Sequence, residues 1–148
     1  MIQPAFLGPL DVRLLDDQEE RWMLLASLSY RSAILRAQLT VPAGLITDMA
    51  SIPKWFFIYL TFGGRAKRPA VLHDFLYQLH LPGVDQEQAD AVFDEAMQVI
   101  GEPTWAEKAI WLGVTIGGAA AWATGPARRL ILNPLLDVGT AGLEMLGG

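Results

Sequence analysis

The spacing of apolar residues changes once along this chain, near Thr47-Asp48, and that change limits it to a fold joining a sheet to a set of helices. Before it, Asp11 to Leu15, Trp22 to Leu28 and Leu35 to Val41 are short apolar or alternating runs of strand length. The charged segment from Asp16 to Glu20 connects the first two, and Pro42-Ala43-Gly44 forms a tight turn from Val41 into Leu45-Ile46. Proline presets φ there and glycine relieves the exit. A small antiparallel sheet is the expected product.

After Thr47-Asp48 the signals are helical. Ser51 can cap a helix with Pro53 in its first turn, running to Tyr59 and ended by Gly63-Gly64. A second helix is expected from Lys67 to Leu81, closed by Pro82-Gly83. Asp85 and Gln88 form a capping box, each side chain meeting the other's free backbone donor. The helix they open carries Ala89, Val92, Phe93, Ala96 and Ile100 at helical spacing and stops at Gly101 and Pro103. A second box, Thr104 with Glu107, opens a helix to about Ala123. The fold class is therefore α+β, with a small antiparallel N-terminal sheet packed against three to four C-terminal helices. Residues 1–123 make one domain. Residues 124–148 form an apolar tail, broken by Asn133-Pro134, Gly139 and Gly142, that docks on the domain or on a partner.

At 148 residues, 52% of them hydrophobic and 18% charged, the chain can bury an ordinary core and is not disordered as a whole. Its net charge of −5 argues against nucleic acid as a partner, because phosphate neutralisation needs a basic face. The short basic groups Arg65, Lys67, Arg68 and Arg128, Arg129 read as solvated helix ends. With no cysteine, disulfides, zinc–thiolate sites and thiol catalysis are excluded. The start, Met1-Ile2-Gln3-Pro4, lacks the basic and apolar regions of a secretory signal, so the cytosol is the expected compartment.

Ala109 to Ala127 is uncharged, carries Trp111 and Trp122 near its ends, and has the small-residue pair Gly113 and Gly117. Membrane helices share these features. Its many glycines and alanines contribute little transfer energy, and Gly125-Pro126 is expected to break the helix before the run ends. A buried helix with close packing is the better expectation, and membrane contact the lesser one.

The polar residues with chemical interest are Asp48, His73, Asp74 and Asp90. His73-Asp74 interrupts an apolar helix, and Tyr77 shares the face of His73. His80 follows at the helix end, where a cation is favoured. Imidazole with carboxylates suits Zn²⁺, Mn²⁺ or Fe²⁺, with Asp48, His73, Asp74 and Asp90 as ligands. The same letters suit general-base catalysis by His73, Asp74 and Asp48. A buried hydrogen-bonded strut, with His73 on Asp48 or Asp90, is the other reading. Ser51 lacks the flanking glycines of a nucleophile elbow, and neither Gly63-Gly64 nor Gly117-Gly118 makes a phosphate loop.

Three ordered motifs carry a family resemblance. They are Thr40-Val41-Pro42-Ala43-Gly44-Leu45-Ile46-Thr47-Asp48-Met49-Ala50-Ser51-Ile52-Pro53, then Val71-Leu72-His73-Asp74-Phe75-Leu76-Tyr77, then Ala89-Asp90-Ala91-Val92-Phe93 with Ala96-Met97. Over roughly Phe6 to Trp122 the chain resembles the phage and prophage group catalogued as domain of unknown function 1353. The resemblance implies a tailed-phage or prophage origin and no established activity, and it places Asp48, His73, Asp74 and Asp90 at motif positions. The expected role is a virion- or tail-associated component that binds other phage proteins through the apolar tail, in the host cytoplasm or within the particle. The alternative is a small metal-dependent hydrolase, acting on cell envelope or nucleotide, built on the Asp/His/Asp site.

Overall fold

Seven strands and two long helices account for most of the chain that the computed structural model describes, namely residues 1–16, 21–47, 67–101, 122–127, 129, 132–136 and 142–147. The strands are β1 (Ala5–Phe6), β2 (Val12–Asp16), β3 (Arg21–Leu24), β4 (Leu28–Ser32), β5 (Ala37–Val41), β6 (Ile46–Thr47) and β7 (Gly142–Met145). The helices are α1 (Lys67–Leu79) and α2 (Gln86–Val99). The class is α+β.

Two antiparallel sheets replace the single one expected. One has the order β1-β4-β5-β7 and the other β2-β3-β6. The expected strand from Trp22 to Leu28 breaks at Leu25-Ala26, where the chain bends and passes from one sheet to the other. A hydrophobic run cannot report such a bend, because its residues stay apolar on both sides of it. β4 then alternates between buried Leu28, Tyr30 and Ser32 and partly buried Ser29 and Arg31. Its polar letters hid it.

The turn from Val41 to β6 forms as its residues require. Leu45 N donates to Pro42 O (3.3 Å), and Gly44 takes φ +87°, a conformation that costs glycine little. Gly44 and Leu45 exchange backbone bonds with Leu24, at 2.8 and 2.9 Å, and so hold β3 beside the turn.

The apolar tail supplies a strand. β7 pairs antiparallel with β5, Gly142 opposite Thr40 and Met145 opposite Ala37, so the first sheet is completed from the far end of the chain. Just before it, Asn133 Nδ2 donates to Gly44 O at 2.6 Å and Leu136 is buried. Asn133, which breaks the tail's apolar pattern, thus anchors it to the Pro42–Gly44 turn.

α1 is buried on every side from Pro69 to Gln78. Pro69 sits in its first turn, where a missing N–H costs nothing. Burial all round explains why its hydrophobic pattern is weakly one-sided. α2 is amphipathic as expected: Ala89, Val92, Phe93, Ala96 and Met97 are buried, and both halves of its capping box form, at 2.8 and 3.0 Å. α1 ends two residues earlier than Leu81, at a left-handed His80 with φ +46°.

Residues 122–127 are helical, so Gly125-Pro126 does not break the helix there as expected. Two contacts supply the reason. A Cβ at Gly125 would lie 1.6 Å from Tyr77 O, so glycine lets this segment lie against the backbone of α1. Pro126 lacks the N–H that Trp122 O would accept in a helix, and His80 Nε2 donates to that carbonyl instead, at 2.7 Å. The rest of the uncharged run, residues 109–121, lies outside the described residues, as do the helix expected from Ser51 and the capping box at Thr104. Among the described residues no helix is long and apolar enough to cross a membrane.

Candidate functional site

His73 and Asp74 are neighbours on a buried helix, so their side chains leave it in different directions and each needs its own partner. His73 turns toward α2. Its Nε2 lies 2.8 Å from Asp90 Oδ1, and Tyr77 Oη donates to the same oxygen at 2.5 Å. The imidazole packs against two tilted aromatic rings, with centroids 4.1 Å from Tyr77 and 5.0 Å from Phe93. Tyr77 stands one helical turn beyond His73, which is why both reach one carboxylate.

Asp74 takes the opposite side. Gln78 Nε2, one turn on, donates to Asp74 Oδ2 at 2.7 Å and to the backbone oxygen of Ile46 at 3.2 Å. That pair ties α1 to β6. His73 and Asp74 thus belong to two separate networks, one holding the helices together and the other holding helix to sheet. Asp48, the residue after β6, lies outside the described residues, as does Ser51.

Both networks are sealed. His73 and Asp74 are 0% exposed and Asp90 5%. With Nε2 engaged by the carboxylate, Nδ1 is buried and has no hydrogen-bond partner among the described residues. Burial, reinforced by the hydrogen bond to Asp90 and its charge, pushes the Tyr77 phenol far above its ordinary range; a hydrogen bond from Gln86 offsets this in part. The phenol is a donor throughout the neutral range.

The metal reading needs Asp48, which lies outside the described residues, as well as His73, Asp74 and Asp90. Asp90 Oδ1 already accepts two hydrogen bonds, Asp74 faces away, and no three His, Asp or Glu side chains converge among the described residues. As a catalytic dyad it has the Asp–His pairing, and His73 is fully buried.

All three residues come from the ordered motifs noted in the sequence. The family described as protein of unknown function (DUF1353) matches residues 22–114. This chain is a member of the DUF1353 family. The match contains all three motifs and is narrower than the span from Phe6 to Trp122, leaving β1, β2 and Trp122 outside it. No curated protein and no solved structure matches the chain. In this DUF1353 member, His73 and Asp90 sit in one buried cluster and Asp74 in another.

Sequence reasoning passed over Glu95, which makes a third polar clamp. Its Oε1 accepts from Tyr30 Oη at 3.0 Å, and its Oε2 from Ala33 N and Ile34 N at 3.0 and 3.1 Å. The carboxylate therefore holds the β4–β5 turn against α2. Burial, with the charge and hydrogen bond of Glu95, pushes the Tyr30 phenol up as it does Tyr77. An acid five residues beyond Asp90 on the same helix was a visible signal, and its partners, Tyr30 on β4 and the backbone of the turn that follows, were not.

Proposed function

We propose that this protein is a phage-encoded, non-catalytic interaction component, associated with the virion or tail and made in the host cytoplasm. The observation that carries this reading is the burial of the motif residues. His73, Asp74 and Asp90 are spent on hydrogen bonds inside a closed core, which is what a scaffold requires and what a turnover site does not. A protein whose polar residues look inward works through its surface.

That surface includes an apolar C-terminal region. β7 forms an outer edge of its sheet, with Met145 65% exposed, and Leu135 in the preceding segment is 91% exposed. An outer strand with apolar side chains is a site where another chain can add on. The partner class is other phage proteins, and the phage origin follows the family resemblance. Leu135→Asp and Met145→Asp should fold normally and lose co-purification with the phage proteins that the unaltered chain retains. Unchanged co-purification and particle assembly would remove the interaction reading.

A second reading rests on His73 Nδ1, a buried nitrogen without a hydrogen-bond partner among the described residues. In a small metal-dependent hydrolase that nitrogen would be the free position of an Asp90-oriented imidazole, available to Zn²⁺, Mn²⁺ or Fe²⁺ together with Asp48. Metal analysis of the purified protein and of His73→Ala separates the two readings: stoichiometric metal lost in the variant favours the second.

A further inference from the structure

Phe6, Trp22, Lys67 and Arg68 stand together at the start of α1. Lys67 Nζ lies over the Trp22 ring, 5.5 Å from its centroid, and the Arg68 guanidinium lies over Phe6 at 4.7 Å. These side chains, expected at a solvated helix end, are instead laid across aromatic faces and held there. Arg68 Nη1 makes one long hydrogen bond, 3.4 Å to Gly8 O. Among the described residues neither cation has an ion pair, and the first turn of α1 carries no acid.

Beside them is a cleft of about 800 Å³, lined by Pro9, Leu10, Val12, Val99 and Ile100 together with Lys67 and Arg68. Its walls come from the N-terminal segment, the first turn of α1 and the end of α2. Five apolar residues and two cations define an apolar floor with a positive rim. The volume falls in the range of roughly 300–1,000 Å³ typical of small-molecule sites. Two positive charges without an ion pair among the described residues lie here, in a chain of net charge −5. The guanidinium keeps donors free for a two-oxygen anion, and cation–ring contacts limit the freedom it would lose on binding.

We propose that this cleft binds a small anionic amphiphile, an aliphatic carboxylate whose head meets Lys67 and Arg68 and whose tail lies on Leu10, Val12, Val99 and Ile100. The site is separate from the His73 cluster and does not depend on the interaction role proposed above. Charge complementarity selects the head, and the apolar lining selects the tail.

The probe is decanoate, titrated calorimetrically into the full chain below its micelle concentration, with decanol and acetate as comparators. Saturable binding is expected, with decanol and acetate at least about tenfold weaker, since each lacks one half of the contacts. Arg68→Ala and Lys67→Ala should each weaken decanoate by about tenfold and leave decanol unchanged. Lys67 covers Trp22, so indole emission should shift on binding in the unaltered chain. If Arg68→Ala fails to fold after losing its contact with Phe6, Lys67→Ala carries the comparison. Absence of decanoate binding, equal binding of decanol, or indifference to both substitutions overturns the proposal. Binding of an acidic apolar peptide without binding of decanoate also overturns it, in favour of a protein partner.

Discussion

His80 supplies Trp122 with the hydrogen bond that Pro126 withholds. The imidazole Nε2 lies 2.7 Å from Trp122 O, and the two rings stack at 4.0 Å with 16° between their planes. This accounts for a histidine at φ +46°, a position ending α1 where glycine is the usual choice. The ring offsets the strain of the backbone. His80→Phe, which keeps a stacking ring without the donor, should destabilise the fold by about 1–2 kcal/mol. In a Pro126→Ala background, residue 126 regains an N–H for that carbonyl, so the same change should cost less. Denaturant unfolding of the four chains in a double-mutant cycle checks it, and strict additivity would refute the link.

Gly125 should tolerate nothing larger. A methyl at that position meets the Tyr77 carbonyl, a backbone atom that cannot swing away. Gly125→Ala should therefore cost about 3 kcal/mol, near the upper end for overpacking. The melting temperature would report it directly, whereas Gly83→Ala, with open space around its Cβ but φ +82°, should cost less.

These two positions also mark how far the sequence could be read. Local signals were legible because their causes are local: the Asp85–Gln88 box, the Pro42–Gly44 turn and the apolar face of α2 all involve residues within a few positions of one another. The α+β class followed from them. β7 was not legible, since Gly142–Met145 has two polar or flexible letters in four and becomes a strand only because β5 offers an open edge. The helix through Gly125-Pro126 was not legible for a similar reason: the donor that Trp122 O receives comes from His80, far away in sequence. At the site, His73 and Tyr77 share a face by helical spacing alone, but the separation of Asp74 from His73 depends on Gln78 and Ile46 O.

Asp90 should be costly to remove. Asp90→Ala strands Tyr77 Oη and His73 Nε2 in the core, and a loss of about 3 kcal/mol is expected. Tyr77→Phe removes one donor only and should cost about 1–2 kcal/mol. If urea unfolding ranks these two in the reverse order, the carboxylate is not the hub of the cluster.

Tyr30 and Tyr77 should make the fold sensitive to alkali. Both phenols are raised in the folded state, so they keep their protons while unfolded phenols release theirs near pH of about 10. Their contribution is intact below that pH and declines as pH rises above it. Unfolding midpoints measured across the alkaline range should fall, and Tyr30→Phe or Tyr77→Phe should each flatten the fall. Tyrosinate absorbance should appear for these two only as the chain unfolds.

Glu95 should matter through both of its oxygens. Glu95→Gln retains one acceptor and replaces the other with a donor facing Ala33 N and Ile34 N or Tyr30 Oη, while Glu95→Ala removes both. Losses of about 1–2 and about 3 kcal/mol are expected. Amide exchange at residues 33 and 34 checks the assignment, because protection there should vanish in the alanine variant before the core strands open.

During synthesis, β5 leaves the ribosome long before β7 does. For that interval its outer edge carries backbone groups that nothing has yet claimed, on a strand whose alternate side chains, Ala37, Leu39 and Val41, belong to the interior. A nascent chain in this state is open to pairing with a neighbour on the same message, so translation speed through the segment between the two strands should govern how much of the product survives as single, correctly closed molecules.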